Sequence, residues 1–174
     1  MHGNFKFRFE PRWEVFRLGA DDAGFTSAPG SSEVLVPGCQ VLLPVGVLLP
    51  GRILEVFFGG AKTSNAETFT PRIHLGPAGT LADPTLAGFN PAIAATTRSF
   101  DAGARFKVRT NTTIQRVGST QGTAFYGNSA TGAEVAADTI SDVTTTPLYV
   151  SLSGQMGGTV EWVKIQHMAI VISG

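Results

Sequence analysis

Thr159-Val160-Glu161-Trp162-Val163-Lys164-Ile165-Gln166-His167-Met168-Ala169-Ile170-Val171-Ile172 is a strand written in two halves. Val163 and Ile165 share one face, while Met168, Ile170 and Ile172 continue on the opposite parity. Side chains alternate with a period of two along a strand, so a one-residue slip flips all of them. A β-bulge or bend near Gln166-His167 reconciles the halves, and it suits a long strand passing from one sheet of a sandwich to the other. The same period runs back through the chain. Phe5-Lys6-Phe7-Arg8-Phe9-Glu10 sets phenylalanines against charges, and Trp13-Glu14-Val15-Phe16-Arg17-Leu18 follows the stop at Pro11.

Further strands are read at 33–36, 40–49, 52–58, 69–75, 105–110, 113–117, 123–126 and 144–153. Ile53-Leu54-Glu55-Val56-Phe57-Phe58 is rich enough in β-branched and aromatic residues to be largely buried. With 21 Gly and 10 Pro the chain holds too many breakers for long helices. The stretch 81–97 suits a helix best, but Pro84 and Pro91 limit it to short turns. Short strands without alternating helices predict an all-β protein, an antiparallel β-sandwich of jelly-roll-like form. The sandwich is assigned to residues 31–174. Residues 1–30 are an N-terminal strand arm and linker, with 19–32 read as loop from its Gly, Pro and small polar residues.

Composition narrows the function. The 174 residues include 13 Lys and Arg against 13 Asp and Glu, a formal net charge of zero. That argues against a nucleic-acid partner, because such binding draws on many cationic contacts to phosphate. Charged residues make up 15 %, below the ~25 % of an average soluble domain, so the surface favours association. Thr occurs 19 times and Ser 11 times, giving strands a neutral hydrogen-bonding face. No apolar run approaches the ~20 residues of a membrane-spanning helix, since Val41 to Leu49 is broken by Pro44 and Gly46. No signal-peptide core is present at the N-terminus, which fits synthesis in a reducing cytoplasm. The single Cys39 excludes an intramolecular disulfide and reads as a buried, inert thiol.

No residues assemble into a reactive site. His2, His74 and His167 lack metal-ligand spacing, and the latter two read as hydrogen-bonded strand histidines. Phe57-Phe58-Gly59-Gly60-Ala61-Lys62-Thr63 superficially suggests a phosphate loop, but it lacks the upstream glycine and the following helix, and reads as a hairpin loop or chance. Gly-x-Ser-x-Gly is absent. Asp21-Asp22 and the spaced Glu134, Asp138 and Asp142 read as solvated loop residues. A glycosidase needs two carboxylates flanking the scissile bond, and nothing singles out a pair among Glu55, Glu67, Glu134 and Glu161. The reading is therefore not an enzyme, with no catalytic residue, metal or cofactor.

The first 18 residues stand apart. Lys6, Arg8, Arg12 and Arg17 exceed Glu10 and Glu14 in a chain of zero net charge. Phe5, Phe7, Phe9, Arg12, Trp13 and Phe16 are the candidate interface residues: an exposed strand of this kind adds to another sheet's edge. A second reading makes these aromatics the first two strands of the domain's own core.

The stretch 71–86, containing Arg72, Gly76, Gly79, Thr80 and Asp83, reads R-x-x-x-G-x-x-G-T-x-x-D. It is followed by Arg116-Val117-Gly118 with Gly122, and by Thr146-Pro147-Leu148-Tyr149-Val150-Ser151-Leu152-Ser153. Together these resemble a recurring module of tailed-bacteriophage virion structural proteins, over roughly residues 50–173. The resemblance implies a jelly-roll-like sandwich with a closing β-hairpin, no enzymatic activity, threefold symmetry, and a place on the virion. It implies a capsid decoration (cement) protein bound as a homotrimer to the major capsid protein or other virion proteins. The alternative it implies is a receptor-binding or fibre-tip module.

Overall fold

The two-part strand is present, and it lies inside the larger sheet, one strand in from an edge. The computed structural model describes residues 13–17, 23–25, 32–62, 68–86, 93, 99–117, 137–156 and 163–174. Its strands are, in chain order, β1 (Trp13–Arg17), β2 (Ala23–Phe25), β3 (Val34–Leu43), β4 (Ile53–Lys62) and β5 (Phe69–Gly76). They continue with β6 (Ser99–Thr110), β7 (Thr113–Arg116), β8 (Asp138–Thr139), β9 (Leu148–Met156) and β10 (Val163–Ser173). A seven-stranded sheet runs β1-β10-β4-β6-β7-β8, with β2 also paired to β10, and a three-stranded sheet runs β3-β9-β5. Every pairing is antiparallel. The protein is an all-β antiparallel sandwich, and among the described residues there is no helix. Its sheets divide three and seven, not as the equal halves of an eight-stranded jelly roll.

Register explains the slip in β10. Ile165 pairs with Gly60 and His167 with Gly59, which leaves Gln166 as the extra residue of a bulge. Val163 and Ile165 before it, and Met168, Ile170 and Ile172 after it, are all buried against the other sheet. The bulge thus keeps one apolar face toward the core, and β10 does not cross between sheets as the sequence suggested. The change of sheet falls between β9 and β10, so these consecutive strands do not form the closing hairpin that the resemblance implied.

Other differences are local. β4 runs on through Gly59 and Gly60 to Lys62, so the apparent phosphate loop is strand. Gly59 and Gly60 fit there because β6 and β10 press close from both sides. The stretch 19–32, read as loop, contains β2, which lies beyond β1 on the same edge of β10. The predicted strand at 123–126 lies outside the described residues.

The core fills the space between the sheets. Phe58, Phe100 and Phe106 come from the large sheet, and Phe69, Ile73, Leu75 and Leu152 from the small one. Phe100 ties them together, with ring centroids 6.5 Å from Phe58 in an edge arrangement and 5.7 Å from Phe69. β3 breaks its register between Leu35 and Gln40, where Pro37 and a left-handed Gly38 (φ 76°) form a bulge. Val36 and Cys39 both enter the core there, and burial pushes the Cys39 thiol up to about 12.

Candidate functional site: a roofed polar corner

Strand alternation sends Ile73, Leu75, Val150 and Leu152 into the core, so their neighbours Arg72, His74, Ser151 and Ser153 face outward. Cross-strand rows follow on this outer face: Gln40-Ser151-His74 and Leu42-Tyr149-Gly76. Outward polar residues on a sheet normally meet water. Here His74 is 2 % exposed and Ser151 and Ser153 are 0 %, because the chain folds back over them.

The roof is the segment that follows β5. Asp83 turns its carboxylate inward and accepts from the backbone amides of Ala78 (3.1 Å), Gly79 (2.6 Å) and Thr80 (3.2 Å). Such a nest of amides suits an anion and pins the loop in one shape. Gly76 is required because a Cβ there would overlap the Asp83 carboxylate. Gly79 takes a left-handed φ of 65° above the Tyr149 ring, and Gln40 donates its side-chain amide to the Gly79 carbonyl. The chain then runs beside β5, with Leu75 N–H donating to Pro84 O (3.0 Å) and Leu86 N–H to Ile73 O (2.8 Å). Arg72, Gly76, Gly79, Thr80 and Asp83, the fixed positions of the sequence pattern, are therefore parts of one corner.

Glu33, just before β3, closes the other side. It pairs with Arg72 Nη1 at 2.6 Å and with His74 Nε2 at 2.8 Å, and it accepts from the Ser153 hydroxyl. Gln155 accepts from Arg72 Nη2 at 3.1 Å. His74 Nδ1 faces the Asp83 carbonyl at 2.9 Å; a carbonyl only accepts, so Nδ1 carries a proton. Both ends of the imidazole are thus held. Burial pushes the Glu33 carboxyl up, but bonds from Ser153 and His74 and the Arg72 charge outweigh it, leaving Glu33 below its usual value. A carboxyl lowered on folding stabilises the fold above its unfolded value of about 4.3 and loses that contribution as pH falls through the folded value. Wild-type protein is expected to lose stability in urea more steeply than Glu33→Gln as pH falls below about 4.3. Parallel pH profiles of the two would contradict this role for Glu33.

Ser153, His74 and Glu33 are the residue types of a hydrolytic triad, but their geometry differs. In a triad Nε2 meets the nucleophile while Nδ1 meets the carboxylate. Here hydroxyl and carboxylate both sit at Nε2, Nδ1 meets a carbonyl, and Ser153 has no exposed surface. This arrangement holds a loop in place and does not present a nucleophile. His74 is the hydrogen-bonded strand histidine that the sequence predicted. His167 lies exposed on the large sheet, 3.3 Å from Asp101 across Gly59, a pair open to water and worth little.

The candidate interface residues fall elsewhere. Phe5, Phe7, Phe9 and Arg12 lie outside the described residues. Trp13 and Phe16 are in β1, opposite Ile172 and Ile170, with Val15 as the extra residue of a small bulge. The corner itself was not singled out as a site. Its loop was visible as a pattern, whereas Glu33, 120 positions from Ser153, gave no local signal.

Among solved structures the chain is similar to infectious bursal disease virus, Gt strain, at 11 % identity and a TM-score of 0.38, covering 92 % of this chain and 32 % of that one. It is also similar to the Gx strain, at 11 % identity and a TM-score of 0.26, covering 94 % of this chain and 42 % of that one. The chain thus spans less than half the length of either. No protein-family model and no curated protein sequence matches it.

Proposed function

We propose that this chain is a virion structural protein, a capsid decoration protein that binds the head shell as a homotrimer and stabilises it. The observation that carries the reading is the corner at residues 72–83. The segment on which the resemblance to phage virion modules rests engages Arg72, His74 and Asp83 in pairs within the corner, and its tip, from Pro77 to Ala82 and exposed except at Gly79, has no charge. A preorganised, uncharged projection is suited to protein contact, because little ordering entropy is lost on docking. The low charge content supports the same reading.

On this reading the N-terminal aromatics provide the anchor: Phe5, Phe7, Phe9 and Arg12 reach a neighbouring virion protein, and Trp13 and Phe16 join that contact to the sheet. The protein is made in the host cytoplasm and resides in the particle. The test is binding to expanded, emptied phage heads. Wild-type protein is expected to bind them and raise their resistance to heat, whereas Phe5→Ser/Phe7→Ser/Phe9→Ser is expected to lose binding with its own thermal unfolding little changed. Binding to host cells in place of heads would reassign the protein to a fibre tip, and binding to neither would end the virion reading.

A further inference from the structure

Charge is distributed unevenly between the two sheets. Residues 34–51 and 143–160, which contain β3 and β9, include no Asp, Glu, Lys or Arg in two stretches of 18 residues each. In the β5 segment, 68–86, Arg72, His74 and Asp83 are spent on Glu33, Ser153 and the loop backbone. The large sheet instead carries Asp101, Arg105, Lys107, Arg109 and Lys164.

The apolar surface is uneven in the opposite sense. The large hydrophobic side chains exposed among the described residues are Val34 (39 %), Leu42 (47 %), Val45 (46 %) and Leu81 (40 %). All lie on the small sheet, its following turn or its roof. Leu42 sits opposite half-buried Tyr149, whose ring lies under Gly79, two residues before Leu81. These residues make one side of the corner, and the network beneath holds it in shape.

A face whose charges are already paired with one another selects its partner by chemistry. A Lys or Glu brought against it is desolvated with no free counter-charge to offset the loss. The matching surface must also be apolar and uncharged, and this chain carries such a surface itself. We infer that copies of this protein associate through the small-sheet corner, Leu42, Val45, Leu81 and Tyr149 of one copy packing on the same sheet of the next. The inference rests on the assembly reading above and names the face that assembly uses. The contact is one of side chains: Pro37 and the β3 bulge interrupt the edge that strand-to-strand pairing needs.

The experiment is light scattering on the purified full chain across a concentration series. Wild type is expected to be multimeric. Leu42→Asp and Leu81→Asp should weaken association by at least about tenfold, and Arg109→Glu on the large sheet should leave it unchanged. Because a variant can misfold, hydrogen exchange on wild type provides a second measure: amides in 40–46 and 77–82 gain protection as concentration rises. A multimer that both Asp variants leave intact overturns the face but not assembly. A wild type that stays monomeric, or exchange without that protection, overturns the inference itself. Self-association without head binding leaves the inference standing and removes the virion reading.

Discussion

Asp83→Ala is expected to melt well below wild type. Three backbone amides lose a charged acceptor, and hydrogen bonds to charged groups are worth about 1.5–3 kcal/mol each. Two of the three are only part-buried, so water recovers some of the loss, and a total of roughly 3–5 kcal/mol is expected. For a domain of this size that is a fall in Tm of roughly 6–20 °C. Asp83→Asn keeps one acceptor oxygen and should lie between. Asp142→Ala is the control: its carboxylate caps an exposed turn through Thr144 N–H (2.8 Å) and the Thr144 hydroxyl (2.6 Å), where water replaces it easily. Melting curves followed by circular dichroism decide the matter. If Asp83→Ala melts with Asp142→Ala, the nest does not hold the corner.

Gly60→Val should yield little folded protein. A Cβ at Gly60 would overlap the Lys164 carbonyl and crowd the Ile165 Cα, both backbone atoms of β10. Neither can swing aside as a side chain can, so relief requires parting β4 from β10 within the large sheet. Gly60→Ala alone should cost at least about 3 kcal/mol, the upper end for overpacking. Gly46→Ala gives the contrast: it meets nothing within 4 Å and has a φ of +82°, so only the left-handed penalty of about 1–2 kcal/mol applies. Urea midpoints of the two alanine variants compare these directly, and equal midpoints would refute the close approach of β4 and β10.

Much of this architecture was legible because strands announce themselves by period. The parity change announced a bulge or bend near Gln166-His167, and the register supplies the bulge, since one inserted residue returns Met168 to the side of Ile165. That β10 stays in one sheet was not legible, because parity records which side is buried and not what buries it. The corner divides in the same way. The spacing from Arg72 to Asp83 is a local device, and a local device leaves a local pattern. Its closure by Glu33 and Ser153 depends on which strands become neighbours, and β3 and β9 are joined by topology alone. β2 escaped notice because three residues with Gly24 at their centre carry no alternation to read.

The place of β10 between β4 on one side and β1 and β2 on the other has a consequence for how the protein comes into being. On the ribosome, β1 and β2 are made before the other eight described strands, and the strand they pair with is made after them all. Until β10 is made these segments lack the strand they pair with, so that edge of the large sheet closes only after residue 173 has been translated. Crowded polysomes place many such waiting strands side by side, each able to pair with a neighbour's nascent β10. Slower translation or strong overexpression should therefore show up as entangled chains before any change in the finished fold.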